Sequence, residues 1–147
     1  MEKKGLIDLI NEILVPLNFK RKGNYWINKG IEITKSLDLQ KSRFSNSYYI
    51  NWGYIINSLP LDGLKTHTFE RLASTDFTEN IEINNLLNLE NGISDEVRFI
   101  GLKRYVAVKI IPELNEVDTE NDLLTVLKRR PNLYAIPGIV MRHYNLS

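Results

Sequence analysis

A chain of 147 residues, 43% apolar and 25% charged, has the make-up of one globular domain, long enough to bury a core without disulfides or metal. It has no cysteine and two histidines, His67 and His143, which excludes thiolate chemistry, disulfide frameworks, zinc ribbons and iron–sulfur clusters and leaves no cofactor expected. Nineteen Lys and Arg against eighteen Asp and Glu give a formal charge of +1, so no whole-molecule field draws the chain to nucleic acid or an anionic membrane.

No apolar run approaches the roughly 18 residues of a membrane span. The stretch Met1 to Leu17 opens with two lysines, as a signal peptide does, but Asp8 and Glu12 interrupt the part that would have to be uncharged. Retention of this segment and a cytoplasmic location are therefore expected. Leu6, Ile7, Leu9, Ile10, Ile13, Leu14 and Leu17 recur at helical spacing, and Pro16 sets the end of that helix near Leu14 to Leu17.

The period then changes to two. Tyr25 to Asn28 reads as a short strand between the turn pairs Gly23-Asn24 and Lys29-Gly30. From 31 to 39 the odd positions Ile31, Ile33, Leu37 and Leu39 are apolar and the even ones polar, a strand with one wet face. Tyr48, Ile50, Trp52, Tyr54 and Ile56 form the apolar face of the next strand. The connection between the two is far too short for a parallel crossover, so the pair is antiparallel. PLDG at 60–63 reads as a turn, and Thr66 to Leu72 as a further strand.

Beyond Asp76 the pattern is helical. Ser94 caps a segment with Asp95 and Glu96 in its first turn and a buried stripe of Val97, Ile100, Tyr105, Val108 and Ile111, ended or bent at Pro112. A helix starts near Thr119 and stops before Pro131, and a short one covers Ile139 to Tyr144. The order implies one α+β domain over residues 1–147. Its antiparallel sheet of three to five strands is packed on one face by the N-terminal helix and the C-terminal helices. The other face, with Thr34, Ser36, Asp38, Gln40, Tyr49 and Asn51, is a semi-polar surface, either solvated or a recognition platform.

The run Phe19-Lys-Arg-Lys-Gly23-Asn24-Tyr25-Trp26, then Gln40-Lys41-Ser42 and Ile50-Asn51-Trp52-Gly53, resembles the bacterial domain-of-unknown-function family 4304. His67 with Arg71-Leu72, Leu86-Leu87-Asn-Leu89 and Ile93-Ser-Asp95-Glu-Val-Arg98 are similar to its later blocks. The resemblance implies a small cytosolic α+β protein with no assigned activity, some of whose relatives resemble immunity proteins that neutralise toxins. It supplies no catalytic residues.

Other constellations have ordinary explanations. Asp118-Thr-Glu120-Asn-Asp122 begins like a calcium loop, but Leu123 stands where glycine must turn and Arg129 where a glutamate must ligate, so an acid-rich helix start is expected. Lys20-Arg21-Lys22 beside Tyr25 and Trp26 is a thin basic footprint, read as a solvated loop, and a nucleic-acid partner is disfavoured. His67 and His143 lack a spaced nucleophile partner, and the separation of Glu79 from Glu82 in space is a property of the fold. No common nucleotide-binding, hydrolase or zincin motif occurs.

The expected function is a non-enzymatic cytosolic binding protein, immunity-like, that occludes a partner protein. Its docking surface is either the sheet or the segment from Asp76 to Asp122, whose eleven acids and four bases leave −7. Tyr49 with Arg43 and Phe44 has the composition of an interface hot spot. The alternative is a small-anion-binding module with a pocket between sheet and helices that uses Lys41, Arg43, His67 and Arg71. An enzyme without a recognisable motif stands third.

Overall fold

The computed structural model describes residues 1–130 and 136–146. The chain opens with α1 (Lys3–Leu14), closed by a 3-10 turn over Val15–Leu17 and by Asn18 in the left-handed region (φ 68°). Five strands follow: β1 (Lys20–Lys22), β2 (Tyr25–Lys29), β3 (Ile33–Lys41), β4 (Tyr48–Ile56) and β5 (Thr68–Arg71). Then come α2 (Phe77–Leu87), α3 (Asp95–Tyr105), a π-helical stretch over Val106–Ile110, α4 (Ile111–Glu116), α5 (Glu120–Arg129) and α6 (Gly138–His143). The stretch 131–135 lies outside the described residues, and with it the chain just beyond the expected helix stop at Pro131.

The strands form one antiparallel meander in the order β1-β2-β3-β4-β5. Alternation in β3 and β4 fixes its register, because a one-residue slip would turn Leu37, Ile50, Trp52 and Tyr54 out to water. Leu37 pairs with Trp52 and Leu39 with Ile50, all buried on the face that meets the helices. Each tryptophan on that face is tied to a helix: Trp26 Nε1 donates to Asn11 Oδ1 of α1 (2.7 Å) and Trp52 Nε1 to Glu113 Oε2 of α4 (2.6 Å). The indole rings fill the interior while their N–H groups find acceptors, as buried tryptophans require.

Several expectations need correction. Lys20–Lys22 is not a loop but an edge strand paired with β2, its three residues exposed. Ile31 precedes β3 in a bend and is 98% exposed, so it takes no part in the apolar face. The outer face of β3 is not uniformly wet, since Thr34 and Ser36, and Asn51 beside them, are buried. The stripe of α3 is out of phase: Val97, Ile100 and Val108 are exposed, and the buried side is Arg98, Leu102, Tyr105, Val106 and Ile110. Pro112 does not end this helix. The π turn before it, in which the Ile111 N–H reaches back to the Val106 carbonyl, passes the chain into α4.

Arg98 explains the phase error. Its side chain is fully buried, and its guanidinium donates to the carbonyls of Leu86 and Asn88 (2.9 Å for Asn88) at the C-terminal end of α2 and to Asn91 Oδ1 (2.7 Å). A guanidinium can serve several acceptors that the end of a helix leaves open, and the negative end of the dipole offsets its charge. Burial holds its pKa below the ordinary arginine value.

Candidate functional site

On the side of the sheet away from the helices, pairing aligns residues from every strand. One row across the sheet reads Lys22, Tyr25, Asp38, Asn51, Arg71, and the next reads Lys20, Ile27, Ser36, Gly53, Phe69. Directly paired residues share a face, so both rows look outward together. Small residues occupy the middle of the second row and long ones its ends. The result is a trough of about 1190 Å³ with Ser36 near its middle.

Gly53 is required there by contact, since a Cβ would collide with the Thr68 carbonyl oxygen and come within 3.1 Å of Phe69. Close approach of β5 to β4 therefore depends on a bare backbone at this point. Thr34 Oγ1 donates to Asn57 Oδ1 (2.8 Å), and Asn57 Nδ2 donates to the carbonyls of Gly30 and Ile31, which ties β3 to the end of β4.

The other end carries a polar network. Arg71 donates from Nε to Asn51 Oδ1 (3.1 Å) and from Nη2 to Gln40 Oε1 (2.9 Å). Asn51 Nδ2 donates in turn to Gln40 Oε1 (3.0 Å) and Asp38 Oδ2 (3.2 Å). The Arg71 guanidinium lies 3.9 Å from the centroid of the Tyr49 ring, and the Lys65 ammonium 5.8 Å from that of Tyr25. Lys20, Lys22, Lys29 and Lys65 border the trough, and Asp38 is the single carboxylate among its described lining residues. The chain is almost neutral as a whole, so folding has sorted its charge by face.

The helical side shows the reverse of the sorting. Its acids are largely spent on neighbours: Glu79 on Lys109 (2.7 Å), Glu116 on Arg129 (2.7 Å), Asp118 on Lys35 (3.0 Å) and Glu82 on Arg104 (3.7 Å). Lys109 and Ser74 hold the Glu79 carboxyl below the usual range. The acid-rich stretch at 118–122 is the capped start of α5, where Thr119 and Asp122 exchange side-chain and backbone hydrogen bonds. Among the described residues no three His, Asp or Glu cluster closely enough to hold a metal ion.

The sequence-derived candidates are only partly brought together. Tyr49 and Arg71 meet on the outer face. Lys41 belongs to the opposite face by alternation, in line with Leu39. Arg43 and Phe44 lie in the exposed β3–β4 connection, Phe44 being 96% exposed, and that connection is tied to the segment after α2 by the Leu89 N–H donating to the Asn46 carbonyl (3.0 Å). His67 is fully buried: the Ile56 N–H donates to Nδ1 (2.8 Å) and Nε2 donates to the Pro60 carbonyl (2.9 Å). It pins the β4–β5 connection and presents no free nitrogen.

Reasoning from the sequence missed Lys20, Lys22, Lys29, Lys65 and Asp38 as one group. The alternation of β3 already placed Asp38 outward, but only the pairing of β1 and β2 brings the lysines beside it. It also missed Glu113, which accepts from Trp52 and from the Tyr54 hydroxyl (2.8 Å) between sheet and helices. Burial and that carboxylate raise the Tyr54 pKa far above its ordinary value. The trough lies on the other side of the sheet from this carboxylate.

No helix among the described residues is long and apolar enough to cross a membrane. Comparison with curated proteins and with solved structures finds no match. The family model described as "Domain of unknown function (DUF4304)" covers residues 10–116, from within α1 through the whole sheet to the end of α4, and the chain belongs to that family.

Proposed function

We propose that the protein is a cytoplasmic, non-enzymatic binding protein whose recognition surface is the concave outer face of the sheet and whose partner is anionic. The supporting observation is the charge sorting: four lysines and one carboxylate border a trough in a chain of net charge +1. Clefts lined by one sign of charge concentrate counter-charged partners and speed their capture. Occlusion of a partner protein, as an immunity protein acts, fits this surface where the partner offers an acidic patch. The helical segment of −7 is a weaker docking face, because three cations from outside it, Lys35, Arg129 and the amine of Met1, pair with its Asp118, Glu116 and Asp95.

Titration with polyphosphate, a structurally plain polyanion, tests the reading. Binding should weaken steeply with salt, and joint replacement of Lys20→Glu, Lys22→Glu and Lys29→Glu should reduce it at least tenfold. The exposed set Lys3→Glu, Lys4→Glu and Lys128→Glu, on α1 and α5, makes the same change of net charge and serves as its control. Equal loss from both sets would refute a specific basic face.

A further inference from the structure

Resting on that reading, we propose that the occupant of the trough is a single-stranded nucleic acid, with its backbone along the lysine rim and its bases over the floor. The division between rim and floor carries the inference. Cations stand at the border, on β1, β2 and the β4–β5 connection, while the residues between them are uncharged, the polar Thr34, Ser36 and Asn51 beside the apolar Ile27, Ile55 and Phe69, with Asp38 among them. A single strand divides its chemistry in the same way, into charged phosphates and neutral bases edged with donors and acceptors.

Asp38 bears on the choice of anion. A lone carboxylate weakens the capture of a bare anion, but it accepts hydrogen bonds from the amino edge of a base. Phe69 bears on it too. The ring is 60% exposed beside the hollow left by Ser36 and Gly53, where a planar group can lie against it. Tyr25 lines the trough as well, so two aromatic rings accompany the cations, the combination that single-strand platforms use. A volume of about 1190 Å³ exceeds the ~300–1,000 Å³ of small-molecule sites and suits a few linked nucleotides.

Three adjacent cations in the sequence are a thin footprint for such a ligand. Strand pairing enlarges it, because Lys29, Lys65 and Arg71 join Lys20 and Lys22 on one face of the sheet.

Fluorescence anisotropy on the full chain separates the alternatives. Probes are a labelled RNA and a labelled DNA single strand of about 12 nucleotides, the corresponding duplex, polyphosphate and polyglutamate. The single strands should bind at least tenfold more tightly than the duplex or polyphosphate. Phe69→Ala should weaken the single strands roughly five- to hundred-fold, the range expected for loss of one stacking contact, and leave polyphosphate unchanged. Tyr25→Ala provides a second aromatic variant, and circular dichroism checks that each variant is folded. Single strands bound no better than polyphosphate, with Phe69→Ala and Tyr25→Ala both silent, would overturn the inference and leave an anion-binding groove. Preference for polyglutamate would overturn it in favour of an acidic protein partner. If no polyanion binds, both the inference and the proposed function fail.

Discussion

Arg71 lies over the Tyr49 ring, its guanidinium carbon 3.9 Å from the ring centroid, and in the same pose donates to Gln40 and Asn51. One planar group thus meets a π face and two amide oxygens, which an ammonium cannot reproduce. Arg71→Ala is expected to cost about 1–2 kcal/mol, because the network is only partly shielded from water. Arg71→Lys should recover less than half of that loss despite keeping the charge. Urea midpoints of the three proteins check this, and full recovery by lysine would show that charge rather than geometry holds the network.

Gly53 and Phe69 face each other across β4 and β5, and the glycine allows the two backbones to approach. Gly53→Ala must push β5 away or tilt it, with a cost of about 1–3 kcal/mol for overpacking, and Gly53→Val should cost more. Moving β5 also disturbs the stacking of Arg71 on Tyr49. Both variants should therefore lose polyphosphate affinity even at temperatures where they remain folded. An alanine variant as stable as the parent and equally able to bind would mean that β5 moves freely.

The sheet was largely legible in the chain because alternation in β3 and β4 has one physical cause, a single buried face. The helices were less so. Arg98 replaced an apolar residue on the buried side of α3, and the π turn at Val106–Ile110 shifted the phase after it, so a purely apolar period selected the exposed Val97, Ile100 and Val108. The trough was legible only as an outward polar face. Its basic rim unites Lys20, Lys29 and Lys65, which no local pattern relates, and Gly53, which lets β5 approach β4, reads in sequence as a weak point in a strand. Among the candidates, Tyr49 and Arg71 were joined by strand register, while His67 was drawn inward by two backbone groups that needed partners.

His67 supports the fold rather than the binding surface. Replacing it with leucine keeps much of the volume but leaves the Ile56 N–H and the Pro60 carbonyl without their partners. Each unsatisfied group costs about 1–3 kcal/mol, so His67→Leu should lower stability by roughly 2–6 kcal/mol. At low temperature, where the variant is still folded, its affinity for polyphosphate should equal that of the parent. A selective loss of affinity with normal stability would place His67 in the site after all.

Asp122 gives the protein a defined response to acid. Its carboxylate accepts from the backbone N–H groups of Thr119 (2.9 Å) and Asp118 (3.0 Å) at the start of α5, and these bonds hold its pKa below the usual carboxylate range. Between the folded and unfolded pKa values the unfolded chain binds more protons, so stability rises with pH across that window. The contribution is complete above about 3.9, the ordinary aspartate value, and is lost as pH falls through the lower folded value. Glu70 has the opposite sign: burial raises its pKa despite Arg130, so between the unfolded and folded values its ionisation opposes folding. Asp122→Asn keeps the shape and one acceptor but removes the titration. The stability difference between parent and Asp122→Asn, followed by urea unfolding from about pH 6 to pH 2, should therefore be largest at the upper end and shrink through the acid range. A difference that stays constant with pH would show that the cap works through geometry alone and that the carboxylate charge contributes nothing to holding α5 in place.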